Sequence, residues 1–535
     1  MVVYIYLIRE GKIQMKILEN KERVKNIIVI VLVILMCGII FFYETKKVGF
    51  HEDEGYSIAS AVNPTNGLME AYEAGVDGPV WKTRDFVRDY VTLAPENIFN
   101  FWALYHNQAG DNHPPLFYTL VHFSTLLFGG QFTKYSAFVV NIIAFALSCF
   151  VIRRILKVLN KDNLTIPILI FYGLSMGTMS MVIFQRMYML LTFFILLYFY
   201  YSIRIYLNKF ELSKELLIKL GFTTVLGFLT QYYFAIYAFL IFAIMAIGMI
   251  RKKMYKNAAK YLGFHAIYAV IGILLFVPCI YHLFFTDRGL KNLANSAYFE
   301  HLIDYVKHFA YAFSINDNMI LICSVLLVFL AGIIYWFKKS DKKLVVLLTT
   351  VPSVIYFFLV VKLTSFQELR YIMPVIPFVS LSVFFILDRL LQFKYKNIVI
   401  TVIAIVLVVN GMIFSKPKFL YEEYAQCLEI AEENKDKSFV YIYDNFFNHM
   451  QSIPEMMIYE KTLIVNVNNN DMQYLLNNSE LNTEDSYILC IKSYMDNDAI
   501  LNEITSNTDF KNVTKLFEGD NSSEKISNNL YLVSK

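Results

Sequence analysis

Four short stretches of this 535-residue sequence combine residue types suited to acid, base or anion chemistry. The first, HEDEGYS at residues 51–57, places Glu52, Asp53 and Glu54 side by side just after an apolar run. Like charges this close repel, and each would be costly in hydrocarbon, so a cation or a catalytic role must compensate. A helix start is the plainer use, because Asp and Glu favour first turns. The second, DNHPPLFY at residues 111–118, sets Asp111 and His113 before a proline pair and an apolar run. Prolines there are ordinary helix-start chemistry, and they would hold the carboxylate and the imidazole at one fixed depth. The third is Gln185-Arg186-Met187-Tyr188, set within 39 residues, 165–203, that carry no other charge. The fourth is Glu368-Leu369-Arg370-Tyr371-Ile372-Met373-Pro374, joined more weakly by Gln231-Tyr232-Tyr233. Snorkelling arginines and belt tyrosines are common at the ends of membrane spans; the sharper reading is a pair of cations awaiting an anion.

The elements that must position these residues are membrane helices. Hydrophobic residues make up 57% of the chain and charged residues only 17%, which excludes an ordinary soluble domain. Apolar runs fall near residues 27–43, 135–152, 165–184, 187–203, 216–230, 233–250, 262–284, 319–337, 344–361, 371–387 and 397–414. Nearly all have the 17 or more residues that a crossing of roughly 30 Å of hydrocarbon requires. The fold class expected is therefore a polytopic all-α membrane protein of about eleven transmembrane helices. The first span follows basic residues but lacks the small residues of a cleavage site, so it reads as an uncleaved anchor. Six scattered cysteines with no C-x-x-C pair exclude a disulfide framework or a zinc ribbon.

Basic clusters recur in alternate connections: the N-terminal segment 1–26, Arg153-Arg154, Arg204 with Lys209, Arg251-Lys252-Lys253, Lys338-Lys339 and Arg389 with Lys394. The positive-inside rule makes these cytoplasmic. The alternation requires that residues 114–129, short and opened by two prolines, form an interfacial or re-entrant helix rather than a span. All four constellations then lie on the external side, the first two within the long loop 44–134. Residues 416–535 carry 20 acidic and 10 basic side chains, a net charge of −10 against +4 for the whole chain. Such asymmetry marks a separate module. Alternating β-rich runs at 439–443, 463–467, 487–491 and 530–533 read as a small extracytoplasmic α/β domain.

One external face thus gathers carboxylates at 53, 54 and 111 and cations at 186 and 370. Guanidinium groups bind phosphate through bidentate hydrogen bonds. A lipid-linked phosphate held by the arginines could leave while a carboxylate takes the proton of an incoming hydroxyl. A transporter of lipid-linked saccharides is the competing reading, but its charges should lie along the spans, and these spans are almost free of charge.

The order and sidedness of the Asp-Glu pair, DNHPPLFY, RMYMLL and RYIMP resemble the C-type glycosyltransferases. The closest likeness is to the protein O-mannosyltransferase and lipid A aminoarabinose transferase group, over about residues 25–390. The resemblance implies a sugar donor on a polyprenyl phosphate and an acceptor hydroxyl on a protein, lipid or envelope glycan. It implies Asp53 as the base that activates the acceptor, and Glu54, the second member of the catalytic pair, as supporting the acceptor or the fold beside it. Asp111 and His113 would line the cavity, and Arg186 and Arg370 would bind the lipid phosphate, with Tyr188, Tyr232 and Tyr371 beside them. The group's chemistry inverts the anomeric centre in one displacement, so one base suffices. Some of its members bind a divalent metal and others do not, so the metal is unassigned here. Where some bacterial members carry a histidine, this chain has Gln231.

Overall fold

The computed structural model describes residues 2–64, 79, 81–286, 298–364, 367–445, 448–469, 471–520 and 525–535. Parts of the connections expected at 44–134, 285–318 and 362–370 lie outside the described residues. Every one of the eleven apolar runs is helical. Among the described residues nine helices are long and apolar enough to cross a membrane, so the chain is a multi-pass membrane protein. Two of the expected spans differ from the continuous crossings read from hydropathy. Residues 165–184 form a pair, Thr165–Gly173 and Met176–Ile183, bent by 62°. The break falls where Ser175 turns its side chain to cap a new helix by accepting from the Thr178 amide. Helix Lys214–Thr230 has 17 residues, about 26 Å at 1.5 Å per residue, slightly less than the hydrocarbon thickness. A third run, 262–284, is interrupted: its helix stops at Leu275, and Pro278 opens the short helix Cys279–Phe284.

Residues 116–128 form a helix, Leu116–Thr125, closed by a tight turn, Leu126–Phe128. Thirteen residues reach only about 20 Å, too short to cross. The chain then reverses through Gly129 and Gly130, at φ 65° and 79°. A Cβ on Gly130 would lie 2.5 Å from the Leu93 carbonyl oxygen, so only glycine fits this turn. His122 fastens the helix to its surroundings, one ring nitrogen 2.7 Å from the Ala61 carbonyl and the other 2.8 Å from that of Ile98.

The C-terminal domain is a six-stranded mixed sheet of order β1-β3-β2-β4-β6-β5. Its strands are β1 Trp81–Thr83, β2 Phe439–Tyr443, β3 Lys461–Asn466, β4 Ser486–Lys492, β5 Asn512–Phe517 and β6 Asn528–Ser534. The three central strands are parallel. Strand β1 comes from the long first loop and pairs antiparallel with β3, Trp81 opposite Leu463, so the sheet reaches outside residues 416–535. Strand β5, NVTKLF, was not expected. Its mostly exposed pattern lacks the apolar alternation that marks a half-buried strand. One face of the sheet, with Phe439, Tyr441 and Tyr443, shares a continuous core with the membrane helices. The other, with Val440, Ile442 and Leu489, packs under its own helices.

Candidate active site

Helix Glu52–Val62 begins with His51 as its cap. The Asp53 amide donates to His51 Nδ1 at 3.0 Å, and the His51 amide donates to the Glu54 carboxylate at 2.7 Å. This reciprocal capping satisfies two amides at the helix start. Burial holds the His51 imidazole down at about 3, so the ring is neutral at ordinary pH and accepts rather than pairs. Successive helical residues point about 100° apart, and the three acidic side chains fan out accordingly. Glu54 turns inward, Asp53 faces Arg370, and Glu52 faces the C-terminal domain.

The Glu54 carboxylate is fully buried and wholly engaged. Lys47 Nζ, equally buried, donates to its two oxygens at 3.1 and 2.9 Å, and the Gln185 amide donates at 2.7 Å. Lys47 also donates to the Phe419 carbonyl. Glu54 therefore ties the first span, the turn before span 188–207 and the link to the C-terminal domain into one frame.

Asp53 makes a charged pair with Arg370, whose guanidinium lies over the rings of Phe184 and Tyr371, 5.7 and 5.1 Å from their centroids. The arginine is buried and Asp53 partly open, its side chain 23% exposed. Burial alone would raise the Asp53 carboxyl; the charges of Arg370 and Arg186 outweigh it and hold the group well below the ordinary carboxylate range.

Arg186 is the hub of the second half. It donates to the Asp53 carbonyl at 3.3 Å, to Ser57 Oγ at 2.5 Å and to the Tyr118 hydroxyl at 3.2 Å. Its other nitrogen lies 3.2 Å from His113 Nε2. An arginine can only donate, so Nε2 accepts and the ring proton sits on Nδ1, which donates to Asp111 Oδ2 at 2.7 Å. Burial pushes the Asp111 carboxyl up, but the facing His113 and Arg186 bring it down to about 2. A continuous relay of Asp111, His113, Arg186 and Ser57 thus runs alongside Asp53.

Of the residues expected from sequence, Asp53, Asp111, His113, Arg186 and Arg370 come together. Tyr188 and Tyr371 pack edge to face behind Arg370, 5.9 Å between ring centroids. Tyr232 stands apart: its hydroxyl donates to His282 Nδ1 at 2.8 Å, and His282 Nε2 donates to the Ala109 carbonyl at 3.0 Å. That chain reaches the last turn of helix Phe101–Gly110, just before Asp111, without a hydrogen bond to the cluster. Ser57, Tyr118, Gln185 and Lys47 were missed as members. Ser57 lies four residues after Asp53, one turn along the same helical face, a signal present in the sequence. Lys47 has none, since its partner is fixed only by the fold. Among the described residues no three His, Cys, Asp or Glu side chains form a group that could hold a metal ion.

No family model and no curated protein matches the sequence. Solved structures do match in fold. ArnT from Cupriavidus metallidurans bound to undecaprenyl phosphate superposes with a TM-score of 0.52 at 11% identity, over 94% of this chain and 97% of that one. Its apo form gives 0.51 at 10% identity over the same shares. An oligosaccharyltransferase from Archaeoglobus fulgidus, in complex with zinc and sulfate, gives 0.46 at 11% identity over 89% of this chain and 70% of that one. The fold implied by the motif resemblance is therefore the fold that the chain has, shared with ArnT over nearly the whole of both chains.

Proposed function

We propose that the protein is an integral-membrane glycosyltransferase that moves a sugar from a polyprenyl-phosphate donor to a hydroxyl acceptor. The observation that carries the reading is the Asp53–Arg370 pair, a partly open carboxylate set between two buried arginines at the end of apolar spans. The likeness to ArnT, described as bound to undecaprenyl phosphate, supports a lipid phosphate as the group for those arginines. The spacing of basic clusters supports a cytoplasmic N-terminus, with the site and the C-terminal domain on the outer face.

In the proposed reaction Asp53 accepts the proton of the acceptor hydroxyl as its oxygen attacks the anomeric carbon. The bond from that carbon to the phosphate oxygen breaks, and its electron pair leaves with the polyprenyl phosphate. The anomeric centre inverts. Arg186 and Arg370 hold the departing phosphate by charge-assisted hydrogen bonds. Without donor, Arg370 neutralises Asp53. A donor phosphate competes for the same guanidinium, loosens that pair and raises the basicity of Asp53 only when there is a sugar to transfer. Asp111 and His113 orient Arg186 rather than touch the reacting atoms. Glu54 supports the base by fixing its helix.

Purified protein reconstituted in vesicles with radiolabelled polyprenyl-phosphate sugars tests this. Asp53→Asn is expected to lower transfer by on the order of 10² to 10⁴ in a protein that still folds and binds donor. Transfer that survives the substitution removes the base, and flipping of the donor without transfer makes the protein a transporter.

A further inference from the structure

The C-terminal sheet carries a second polar cluster that this mechanism does not use. Strand β2 is central, with β3 parallel on one side and β4 parallel on the other. The two crossover helices cover opposite faces. His449–Met456 brings Met450 and Ile453 to the face that holds Tyr441, while Asp471–Leu476 brings Met472 and Leu475 to the face that holds Ile442. The chain thus changes direction of winding at β2. In open α/β sheets ligands bind beyond the carboxyl ends of the strands at such a switch point.

The residues at that place are Asp444 and Asn448, after β2, and Tyr494, after β4. The Tyr494 hydroxyl donates to Asp444 Oδ1 at 2.7 Å, and Asn448 Nδ2 donates to the same oxygen at 3.2 Å and contacts the Tyr494 hydroxyl. Asn468, beyond β3, donates to the Asp444 carbonyl at 2.7 Å. Tyr494 nonetheless leaves 46% of its surface open. The cluster adjoins the proposed base. Helix His449–Met456 packs on helix Glu52–Val62 so closely that a Cβ on Gly55 would lie 2.7 Å from the Met450 carbonyl oxygen. Glu52, one residue before Asp53, lies within electrostatic reach of both Tyr494 and Lys492, the last residue of β4.

A carboxylate, two primary amides and a phenol with an exposed ring face offer paired donors and acceptors beside an apolar platform. That matches vicinal hydroxyls on a sugar ring. No arginine is among them, which disfavours an anionic ligand. A peptide would instead extend an edge of the sheet, and the edges, β1 and β5, are the strands farthest from this place. We propose that the switch-point cluster of Asp444, Asn448 and Tyr494 binds the carbohydrate portion of the acceptor, so that the hydroxyl delivered to Asp53 belongs to a glycan. The use of the bound sugar, though not the binding itself, rests on the transferase reading.

Saturation-transfer NMR on the full-length protein in detergent micelles, with chitotetraose, mannotetraose and maltotetraose as probes, tests the site. At least one probe is expected to bind wild type. Binding should weaken roughly five- to tenfold in Asn448→Ala and in Tyr494→Ala, the worth of one or two hydrogen bonds, and stay unchanged in Asp53→Asn. Tyr494→Phe, which keeps the ring, should fall between, and unfolding midpoints near wild type verify the fold. Binding by none of the three probes, or binding that ignores both substitutions, overturns the proposal. Binding that persists in a protein that transfers from no donor leaves this site standing and removes the role of Asp53 instead.

Discussion

Changing Glu54 to glutamine should damage the frame of the site rather than its chemistry, and the size of the effect follows from the partners of this carboxylate. Its two oxygens receive Lys47 Nζ and the amides of His51 and Gln185, all within 3.1 Å, and neither Glu54 nor Lys47 has any exposed surface. Glutamine keeps one accepting oxygen and turns an NH₂ toward donors, so at least one donor loses its partner and the ammonium is left buried without its counter-charge. Breaking a buried pair from one side costs about 3–5 kcal/mol, a large share of the roughly 5–15 kcal/mol that holds a typical protein folded. Lys47→Met should cost about as much, because it strands the opposite charge. The double variant should recover much of the loss, because a matched apolar replacement of a buried pair is often close to neutral. Methionine would meet the rings of Phe50 and Tyr421, now 5.7 and 5.3 Å from Nζ. Thermal unfolding of the three variants in micelles, followed by donor binding on the folded fraction, measures the cycle. A Glu54→Gln protein with a wild-type midpoint and no transfer would refute the reasoning, since Glu54 would then act in the chemistry itself.

Further outcomes follow from the same geometry. With Asp53 held below the usual carboxylate range, kcat/KM should show no acid limb from this group above about pH 4. Arg370→Gln leaves burial less opposed and should move that limb upward; an unmoved limb counts against the pairing. Gly55→Ala forces helix Glu52–Val62 away from the Met450 carbonyl, and a shift of about 1 Å in the proposed base should lower transfer on the order of 10²-fold in a protein that still binds donor, whereas wild-type turnover would detach the domain contact from catalysis. Glu455, buried with the Tyr424 hydroxyl and Asn528 Nδ2 each 3.0 Å away, has its carboxyl pushed up to about 7. Its folded state holds the proton more tightly than the unfolded chain, so its contribution is complete below about pH 4 and is lost as pH rises through about 7. The unfolding midpoint should therefore fall across that window in wild type and flatten in Glu455→Gln; equal slopes would exclude Glu455 as the source.

Much of this arrangement is readable from local signals. The helical runs follow from length and hydropathy, and Arg186 stands out because nothing charged surrounds it for 39 residues. What could not be read depends on the third dimension. The bend at Ser175 hides inside an unbroken apolar run, because a serine cap is as compatible with a membrane helix interior as with its interruption. Strand β1 is three residues long and takes its place only by adding to β3. Lys47 is unremarkable in sequence, and nothing there pairs it with Glu54. A lysine just past a span is ordinary interface chemistry, and only the fold turns it inward. Tyr232 shows another limit: its hydroxyl goes to His282, while the next residue, Tyr233, packs edge to face on Tyr371 at 5.9 Å, and only the fold decides which side chain of a turn meets the cluster.

The acidic triplet gains its meaning from this contrast. Three adjacent carboxylates cannot share one cation, but a helical start sends each to a different quarter. Glu54 meets Lys47 from the end of the first span, Asp53 meets Arg370 from 317 residues away, and Glu52 faces the C-terminal sheet at Lys492. Until those three parts are in place the triplet repels itself; once they are, Glu54 and Asp53 are each paired and Glu52 lies within the field of Lys492. On the proposed reading, the helix that carries the base is therefore also the helix against which the C-terminal domain packs. A glycosyl acceptor held on that domain would meet an aligned Asp53 only in the assembled state, which couples acceptor capture to catalysis without any moving lid.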